Sequence, residues 1–322
     1  MNWWQPHKFE DKRAFLVERA RLLREVRRFF DGQGFLHVET PVMQICPGVD
    51  THIHGFAVEG GLYLQTSPEF AMKKLLVAGC DKIYQICPAF RREERTRLHN
   101  PEFTILEWYR AGADYRHIMD DCEALLRALN VEKFRYQDKE CDPHGKWQRI
   151  SVKQAFLEYA EINLPEDLKV FKAAASGIGV RVIEADHWDD VFHAVMAAKI
   201  ETYLGIGVPT ILYDYPASMG ALSRKKPEDP RFAERFELYV CGVELANAFS
   251  ELTDAAEQRA RITADMALKR EIHGFDYPVD EDFLSALEHG MPEAGGIALG
   301  LDRLIMLACG AGRIGDVLWT GE

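Results

Sequence analysis

The spacing of apolar residues predicts a long amphipathic helix near the start of the chain. Apolar side chains recur every three or four positions through residues 9–30, and charged residues occupy the opposite face. The predicted stripe comprises Phe15, Leu16, Arg19, Leu22, Leu23, Val26, Phe29 and Phe30. Gly32 and Gly34 are expected to end this helix. The segment 35–39, which stops before Pro41, predicts a short strand.

Alternation with a period of two predicts an antiparallel hairpin between residues 82 and 109. The run 82–86 predicts its first strand, and Arg91 and Glu93 would share a face if that strand continued. After a polar loop, the second strand would alternate between one face with Phe103, Ile105, Glu107 and Tyr109 and another with Thr104, Leu106 and Trp108. Carboxylates and an arginine held among aromatic rings would have shifted pKa values. The stretch therefore favours a functional site over a solvated sheet face with ion pairs.

A second predicted hairpin, at residues 236–245, brings two carboxylates together. A two-residue Cys-Gly turn would place Tyr239 opposite Glu244, with Glu237 diagonal to Glu244 on the same face. Because neighbouring carboxylates repel, a cation such as Mg²⁺ between them is one expectation. Two solvated glutamates on an edge hairpin are the alternative.

The strand that follows this hairpin carries Asn247, Phe249 and Glu251. Strict alternation would place these three residues on the face opposite Glu244. Both sets can line one pocket only if the strand bulges near Ala246, so a single pocket requires a bulge there.

The remaining patterns predict helices in the middle of the chain and a strand–helix junction near its end. Residues 112–205 predict a helical insertion, interrupted by a polar patch at 137–148. The glycine-rich segment 294–300 predicts a strand that runs into an apolar helix with Arg303 in its first turn. That arginine is either solvated or part of a site.

A further helix is predicted to start at the sequence Ser67-Pro68-Glu69. Ser67 is expected to cap this helix, and Pro68 suits its first turn. In the preceding loop, His52 and His54 are expected to be structural or solvated, since no third metal ligand lies nearby.

Composition and charge exclude several classes of protein. The chain has 322 residues, of which 47% are hydrophobic and 28% are charged, as in ordinary globular proteins. A formal net charge of −12 argues against general binding of polyanions. Seven scattered cysteines, an odd number with no CxxC pair, predict reduced thiols in a cytoplasmic protein, without a zinc site. No membrane association is expected, because no apolar run reaches the length of a span.

The first hairpin resembles motif 2 of the class II aminoacyl-tRNA synthetases, specifically of their lysyl branch. The matching sequence is Phe-Arg-x-Glu at 90–93, followed by His-Asn-Pro-Glu-Phe-Thr-x-x-Glu-Trp-Tyr at the end of the stretch. Residues 9–41 resemble motif 1, which builds the dimer interface of that family, and residues 294–303 resemble motif 3. The resemblance implies an α+β fold, with an antiparallel sheet flanked by helices. It implies one catalytic domain over residues 1–322, assembled as a homodimer.

The resemblance also implies the roles of individual residues. Arg91 would hold the α-phosphate of ATP, and Arg303 would stack on adenine and reach the γ-phosphate. The other ATP-binding residues would be Arg92, Glu93, His99, Asn100, Phe103, Glu244, Leu245 and Gly300, with Mg²⁺ on Glu237 and Glu244. The amino-acid pocket would comprise Ser67, Pro68, Glu69, Glu107, Tyr109, Asn247, Phe249, Glu251 and Ala298.

Three departures from lysyl-tRNA synthetases change the expected substrate. Too few residues precede motif 1 for the OB-fold that reads the anticodon, so no anticodon-binding domain and no stable tRNA binding are expected. Ala298 stands where those enzymes have glycine, and Arg92 stands where they have asparagine. The combination resembles the truncated paralogues of lysyl-tRNA synthetase. These activate (R)-β-lysine with ATP and transfer it to a lysine side chain of elongation factor P.

Three other functions stay open on the sequence. The chain could aminoacylate tRNA that is recognised in trans, but its acidic charge weighs against this. It could use an adenylate to form a free amide, but a lysine-type acidic pocket weighs against that. It could bind without catalysis, but the intact Arg91 and Arg303 weigh against that reading. No residue stands out as a base for the transfer step.

Overall fold

The computed structural model describes residues 4–92 and 94–320, and its centre is an eight-stranded sheet. The α-helices are α1 (Pro6–Gly32), α2 (Glu69–Val77), α3 (Tyr115–Ala128), α4 (Val152–Ala160), α5 (Leu168–Gly177), α6 (Trp188–Val195), α7 (Ala255–His273), α8 (Glu281–Gly290) and α9 (Leu301–Cys309). The strands are β1 (Leu36–His37), β2 (Met43–Gln44), β3 (Ala57–Val58), β4 (Leu62–Leu64), β5 (Lys82–Phe90), β6 (Glu102–Ala111), β7 (Phe134–Tyr136), β8 (Lys139–Cys141), β9 (Gln148–Ser151), β10 (Thr210–Pro216), β11 (Phe232–Val240), β12 (Val243–Ser250) and β13 (Ala294–Gly300).

The large sheet has the order β1-β5-β6-β13-β12-β11-β10-β9. Its six middle strands pair antiparallel with their neighbours, and the two outermost pairs, β1 with β5 and β9 with β10, are parallel. Two small sheets, β2-β4-β3 and β7-β8, complete the strands. The α+β class with a mainly antiparallel sheet is confirmed. The predicted strand at 35–39 is reduced to two residues at the sheet edge.

The two faces of the sheet pack against different helices. Helices α1, α3 and α9 cover one face, where Phe30 stacks on Tyr84 with ring centroids 4.7 Å apart. Helices α2, α7 and α8 pack near Ile83 and Tyr109, whose side chains point to the opposite face. Successive residues of a strand point to opposite faces, so β6 contributes Trp108 to one core and Tyr109 to the other. The predicted alternation of this strand is confirmed.

One residue in the predicted apolar stripe of α1 is a buried cation. Arg19 Nη1 lies 2.5 Å from Asp302 Oδ1, and Arg19 Nη2 donates to Thr104 Oγ1 at 2.9 Å. The backbone N–H of Thr104 in turn donates to Asp302 Oδ2 at 2.7 Å. Helix α1 is thereby tied to β6 and to the start of α9, both of which border the candidate site.

The helices predicted within residues 112–205 are confirmed as α3 to α6, but the same range also contains strands that were not predicted. The polar patch contains the hairpin β7–β8, and β9 joins the large sheet beside β10. Helix α6 ends at Val195, and the chain continues as the short π-helical and 3₁₀ segments Met196–Ile200 and Glu201–Tyr203. Strands of three or four residues are too short for their alternation to stand out from a polar background.

The cysteines and the two loop histidines have the following surroundings in the structure. All seven cysteines are free. His52 and His54 pack against the ring of His273, and the part of the chain that the structure describes holds no cluster of three potential metal ligands. Within residues 4–92 and 94–320, no helix combines the length and apolarity needed to cross a membrane.

Candidate active site

A cleft of about 390 Å³ lies over the middle strands of the large sheet. Its volume is in the range of pockets that bind small molecules and cofactors. Most of the site residues predicted from the sequence line its walls, namely Ser67, Glu69, Arg91, His99, Asn100, Phe103, Tyr109, Glu237, Glu244, Leu245, Asn247, Phe249, Ala298, Gly300 and Arg303. The fold thus brings residues from distant parts of the chain into one cavity.

Four of the predicted site residues that the structure describes are not on these walls. Glu107 and Glu251 are fully buried directly behind them. Pro68 occupies the boundary residue before α2. Arg92 points away from the cleft, and Glu93 lies outside the described residues.

The cleft depends on a bulge between β11 and β12. Leu238 pairs with Ala246 whereas Tyr239 pairs with Glu244, so Leu245 is the extra residue of β12. The bulge required near Ala246 is confirmed. It allows Glu244, on one side of the irregularity, and Asn247, on the other, to line the same cavity.

The turn of this hairpin has the predicted two residues. Cys241 and Gly242 both have positive φ values, +55° and +72°, as a tight hairpin turn requires. The register of Tyr239 opposite Glu244 is confirmed.

The first hairpin delivers Arg91 at the point where regular pairing stops. Strand β5 ends at Phe90, and the guanidinium of Arg91 lies over the ring of Phe103, 5.1 Å from its centroid. The Arg91 N–H still donates to the carbonyl of Pro101 at 2.9 Å, whereas the Arg92 N–H donates to the carbonyl of His54 at 2.7 Å. Pairing along the hairpin therefore ends after Arg91. The bond from Arg92 belongs to a turn that leads away from the sheet.

Arg92 is the one predicted nucleotide contact that the described structure directs elsewhere. Its guanidinium lies over the ring of Phe275, 5.5 Å from the centroid. Stacking on an aromatic face holds the side chain there, so Arg92 does not line the cleft.

Arg303 is held at the other side of the cleft. Its Nη1 donates to the carbonyl of Glu244 at 2.9 Å, and its Nε donates to the carbonyl of Leu98 at 3.3 Å. These bonds hold the Arg303 guanidinium, at the start of α9, between the β12 bulge and the loop of the first hairpin. Phe103 and Arg303 both border the cavity, as a ring bound between them requires.

The two carboxylates predicted to hold Mg²⁺ have different surroundings. Glu237 accepts hydrogen bonds from Tyr215 Oη at 2.6 Å and Tyr239 Oη at 2.8 Å, and Arg235 Nη2 lies 2.7 Å away. Glu244 keeps contact with solvent through the cleft mouth. Surrounding protein atoms and then the charge of Glu237 raise the pKa of Glu244 to about 7.

This donor set fits a divalent cation that is completed by phosphate oxygens. The pKa of Glu244 is raised first by the surrounding protein atoms and then by the charge of Glu237, and a cation between the two carboxylates would offset this second effect. Glu244 would supply the more accessible carboxylate, since Glu237 already shares its charge with Arg235. Oxygen ligands of this kind suit Mg²⁺.

The opposite end of the cleft is an acidic pocket. Glu107 accepts hydrogen bonds from Ser67 Oγ at 2.5 Å and from Tyr109 Oη at 2.8 Å. Burial and the neighbouring charge of Glu69 raise the pKa of Glu107 to about 8. Burial, followed by the charge of Glu69, likewise raises the pKa of Glu251 to about 8, against the opposing effect of Lys73. A pocket with this excess of negative charge favours a ligand that carries ammonium groups.

Helix α2 starts one residue later than predicted, but the Ser67 hydroxyl accepts a hydrogen bond from its first N–H, as expected of a cap. Helix α2 begins at Glu69, and Pro68 is its boundary residue. Ser67 Oγ still accepts from the Glu69 N–H at 3.1 Å while it donates to Glu107. The hydroxyl therefore links the start of α2 to the pocket.

Strand β13 forms the floor of the acidic pocket. A side chain at Gly296 would overlap both the Glu251 carboxylate and the Tyr109 ring. Two residues later, Ala298 pairs with Asn247 on one side and Glu107 on the other. Its methyl group therefore sits between a wall of the cleft and the buried carboxylate.

Comparison with known proteins decides the family. The sequence model of the family described as tRNA synthetases class II (D, K and N) matches residues 6–319. The chain belongs to the class II tRNA synthetase family. It is 42% identical over 315 residues to the elongation factor P–(R)-beta-lysine ligase of Vibrio cholerae, covering 94% of this chain and 93% of that protein.

Two further relatives of this class II chain carry the same name. The elongation factor P–(R)-beta-lysine ligase of Salmonella arizonae is 41% identical over 329 residues, covering 98% of this chain and 96% of that protein. The protein of that name from Edwardsiella ictaluri is 42% identical, with the same coverage of each chain. The predicted resemblance to class II synthetases is confirmed.

Sequence reasoning about this synthetase-family chain missed several charged residues that organise the site. Arg235 and Tyr215 fix Glu237, Lys73 bridges Glu69 and Glu251, and Arg19 reaches Asp302. The spacing of Glu69 and Lys73, four positions apart on a helix, was a usable signal. The other partners lie on separate elements, so only the fold brings them together.

Proposed function

We propose that the protein is an ATP-dependent ligase that activates (R)-β-lysine as an adenylate and transfers it to a lysine side chain of elongation factor P. The observation that supports this proposal is that one cleft has an acidic end and an end with two arginines. The acidic pocket at Glu69, Glu107 and Glu251 suits a diamino acid, and Arg91 and Arg303 suit a nucleoside triphosphate. The names of the relatives support the same reaction.

In the first step, a carboxylate oxygen of β-lysine attacks the α-phosphorus of ATP. The bond from that phosphorus to the bridging oxygen breaks, and pyrophosphate leaves. Arg91 would offset the charge that develops on the α-phosphate, because it stands at the junction of the nucleotide and acidic ends of the cleft. Adenine would lie between Phe103 and Arg303.

Mg²⁺ bound by Glu237 and Glu244 would neutralise phosphate charge. The protein's own contribution is to fix these two carboxylates. Tyr215, Tyr239 and Arg235 hold Glu237, and the β12 bulge aims Glu244 into the cleft.

The amino-acid end would hold the substrate by its ammonium groups. Glu107 is oriented by Ser67 and Tyr109, so its oxygens have a fixed position before substrate arrives. In the free enzyme the raised pKa of Glu107 favours the protonated form at neutral pH, and an incoming ammonium group would displace that proton.

In the second step, a neutral lysine amine of elongation factor P attacks the carbonyl carbon of the adenylate. The bond from that carbon to the phosphate oxygen breaks, AMP leaves, and the amine loses a proton as the amide forms. We further propose that the enzyme is cytoplasmic, that it forms no stable tRNA complex, and that residues 112–205 are an insertion into one catalytic domain.

A homodimer is also part of this proposal. Apolar side chains stand exposed on edge strand β1 and on the segment that follows it, namely Leu36 in β1 at 57%, Met43 in β2 at 53% and Ile45 just after β2 at 51%. An exposed apolar patch on an edge strand is a surface that association would cover.

Label transfer tests the proposed function. The protein is incubated with ATP and labelled (R)-β-lysine or α-lysine, then offered elongation factor P, tRNA or ammonia. Label on elongation factor P, strongest with β-lysine, is the expected result. Label on tRNA or in a free amide would replace this function with one of the alternatives.

A further inference from the structure

Lys73 is a fully buried cation at the back of the acidic pocket. Its side chain is 1% exposed, and its Nζ lies 2.6 Å from Glu251 Oε2 while it also donates to Glu69 Oε1. The ammonium group also faces the rings of Phe249 and Phe283, 5.2 and 5.9 Å from their centroids. Two carboxylates and two aromatic rings therefore surround the ammonium group.

Lys73 does not line the cleft, and neither do Glu107 and Glu251, whereas Glu69 and Phe249 do. Lys73 contacts Glu69 on the wall and Glu251 behind it, so it would act on a ligand through these two carboxylates. Its effect would therefore be to set the position and charge of Glu69 and Glu251.

The acidic pocket contains more carboxylates than cations. Helix α2 contributes Glu69 and Lys73, strand β6 contributes Glu107 with the Tyr109 hydroxyl, and β12 leads into Glu251. Arg91 acts on Glu107 from the nucleotide end. β13 places only the backbone of Gly296 here, and α8 only the ring of Phe283. When all three carboxylates are ionised, they and the one lysine carry a net charge of −2, which the two ammonium groups of β-lysine would balance.

We propose that Lys73 is a positioning residue and a determinant of amino-acid specificity, a fixed cation that holds Glu69 and Glu251 and leaves their other oxygens to the substrate. The inference rests on the proposed function and deepens it. Because Lys73 occupies the space between Glu69 Oε1 and Glu251 Oε2, a substrate ammonium cannot bind there. The substrate must use the remaining oxygens, beside Glu107 and Tyr109.

A change in the pH profile would distinguish this role from simple packing. Lys73 lowers the pKa of Glu251, and burial, Glu69 and Glu107 raise it. A neutral residue at position 73 would therefore raise the pKa of Glu251 further. Protonated Glu251 cannot form an ion pair with an ammonium group. As the pH is lowered, kcat/KM for β-lysine would therefore begin to decrease at a higher pH in the variant than in the wild type.

The test compares Lys73→Met with Lys73→Arg and with the matched control Lys74→Met. Lys74 is the next residue of α2, but it pairs with Asp280 and Asp282 outside the cleft. The measurement is β-lysine-dependent ATP–pyrophosphate exchange from pH 6 to 9 (about half-unit steps), with KM for β-lysine and for ATP at each pH. Lys73→Ala is assayed with and without added ethylammonium, a small cation that can enter the vacated space.

We expect Lys73→Met to move the acidic limb of kcat/KM for β-lysine up by about one pH unit or more, since a close opposite charge shifts a carboxyl pKa by about 1–3 units. At neutral pH this shift corresponds to about a tenfold decrease in kcat/KM for β-lysine, which should result from a higher KM for β-lysine, with KM for ATP unchanged. Lys73→Arg should restore part of the limb, ethylammonium should raise the activity of Lys73→Ala, and Lys74→Met should keep the wild-type profile.

The outcomes separate this inference from the proposed function. An unchanged limb in Lys73→Met, or an equal shift in Lys74→Met, overturns the role of Lys73 while wild-type label transfer stands. If Lys73→Met does not fold, the Lys73→Arg variant and the rescue of Lys73→Ala by ethylammonium decide. The inference is overturned if neither the arginine side chain nor ethylammonium moves the acidic limb of kcat/KM back towards its wild-type position. Wild-type protein without β-lysine-dependent exchange rejects the proposed function and the inference together.

Discussion

Replacement of Arg19 by methionine should destabilise the protein strongly, although Arg19 lies on a helix face predicted to be apolar. The residue is 5% exposed, and its partner Asp302 is 1% exposed. Methionine keeps the length of the side chain and removes the charge. Asp302 would then keep the N–H of Thr104 as a donor and lose the guanidinium.

The expected loss of unfolding free energy in Arg19→Met follows from the burial of both Arg19 and Asp302. Removing one partner of a buried ion pair leaves an uncompensated charge and costs about 3–5 kcal/mol. The matched control is Arg21→Met, two positions further along α1. Arg21 pairs with Glu18, and the two side chains are 30% and 34% exposed. Because solvent screens that pair, the control should lose about 1 kcal/mol or less.

Urea unfolding followed by tryptophan fluorescence measures both losses. A large fall in the midpoint for Arg19→Met with little change for Arg21→Met is expected. The network also touches residues adjacent to Phe103 and Arg303, so KM for ATP should rise in Arg19→Met. Equal, small losses in the two variants would refute the idea that this buried pair ties α1 to the site.

Three other changes probe the site and the assembly. Arg91→Ala should cut ATP–pyrophosphate exchange by about 10²–10³-fold, as loss of one transition-state donor does, with the melting temperature kept; exchange near the wild-type rate would reject its assignment to the α-phosphate. Ala298→Gly should raise kcat/KM for α-lysine relative to (R)-β-lysine, by about tenfold or more if the methyl group clashes with α-substituents; an unchanged ratio would shift the discrimination to Ser67. Light scattering should give a homodimer at micromolar concentration, and a stable monomer there would contradict an interface at the β1 edge.

The sequence allowed some parts of the site to be predicted because local rules fix them. The two-residue turn at Cys241 and Gly242 determines the register of its hairpin, so Tyr239 opposite Glu244 followed directly. The bulge could be stated as a requirement of a single pocket. Its position at Leu245 could not be read, because a bulge satisfies pairing and packing that involve neighbouring strands.

Other parts could not be predicted because they depend on contacts that are distant in sequence. Arg19 and Asp302 are 283 positions apart, and the apolar spacing of α1 made Arg19 look like a packing residue. Lys73 and Glu251 meet only when α2 packs against the end of β12. Arg92 was placed at the nucleotide by its neighbourhood in motif 2, whereas the aromatic face of Phe275 holds it elsewhere.

Transfer of labelled (R)-β-lysine to elongation factor P tests the central claim most directly. Purified wild-type protein, ATP and Mg²⁺ should place one label on elongation factor P, and replacement of the acceptor lysine by arginine should abolish it. The Arg91→Ala variant should transfer label about 10²–10³-fold more slowly under the same conditions. Label on tRNA with none on elongation factor P, or transfer that proceeds equally well without ATP, would contradict the account.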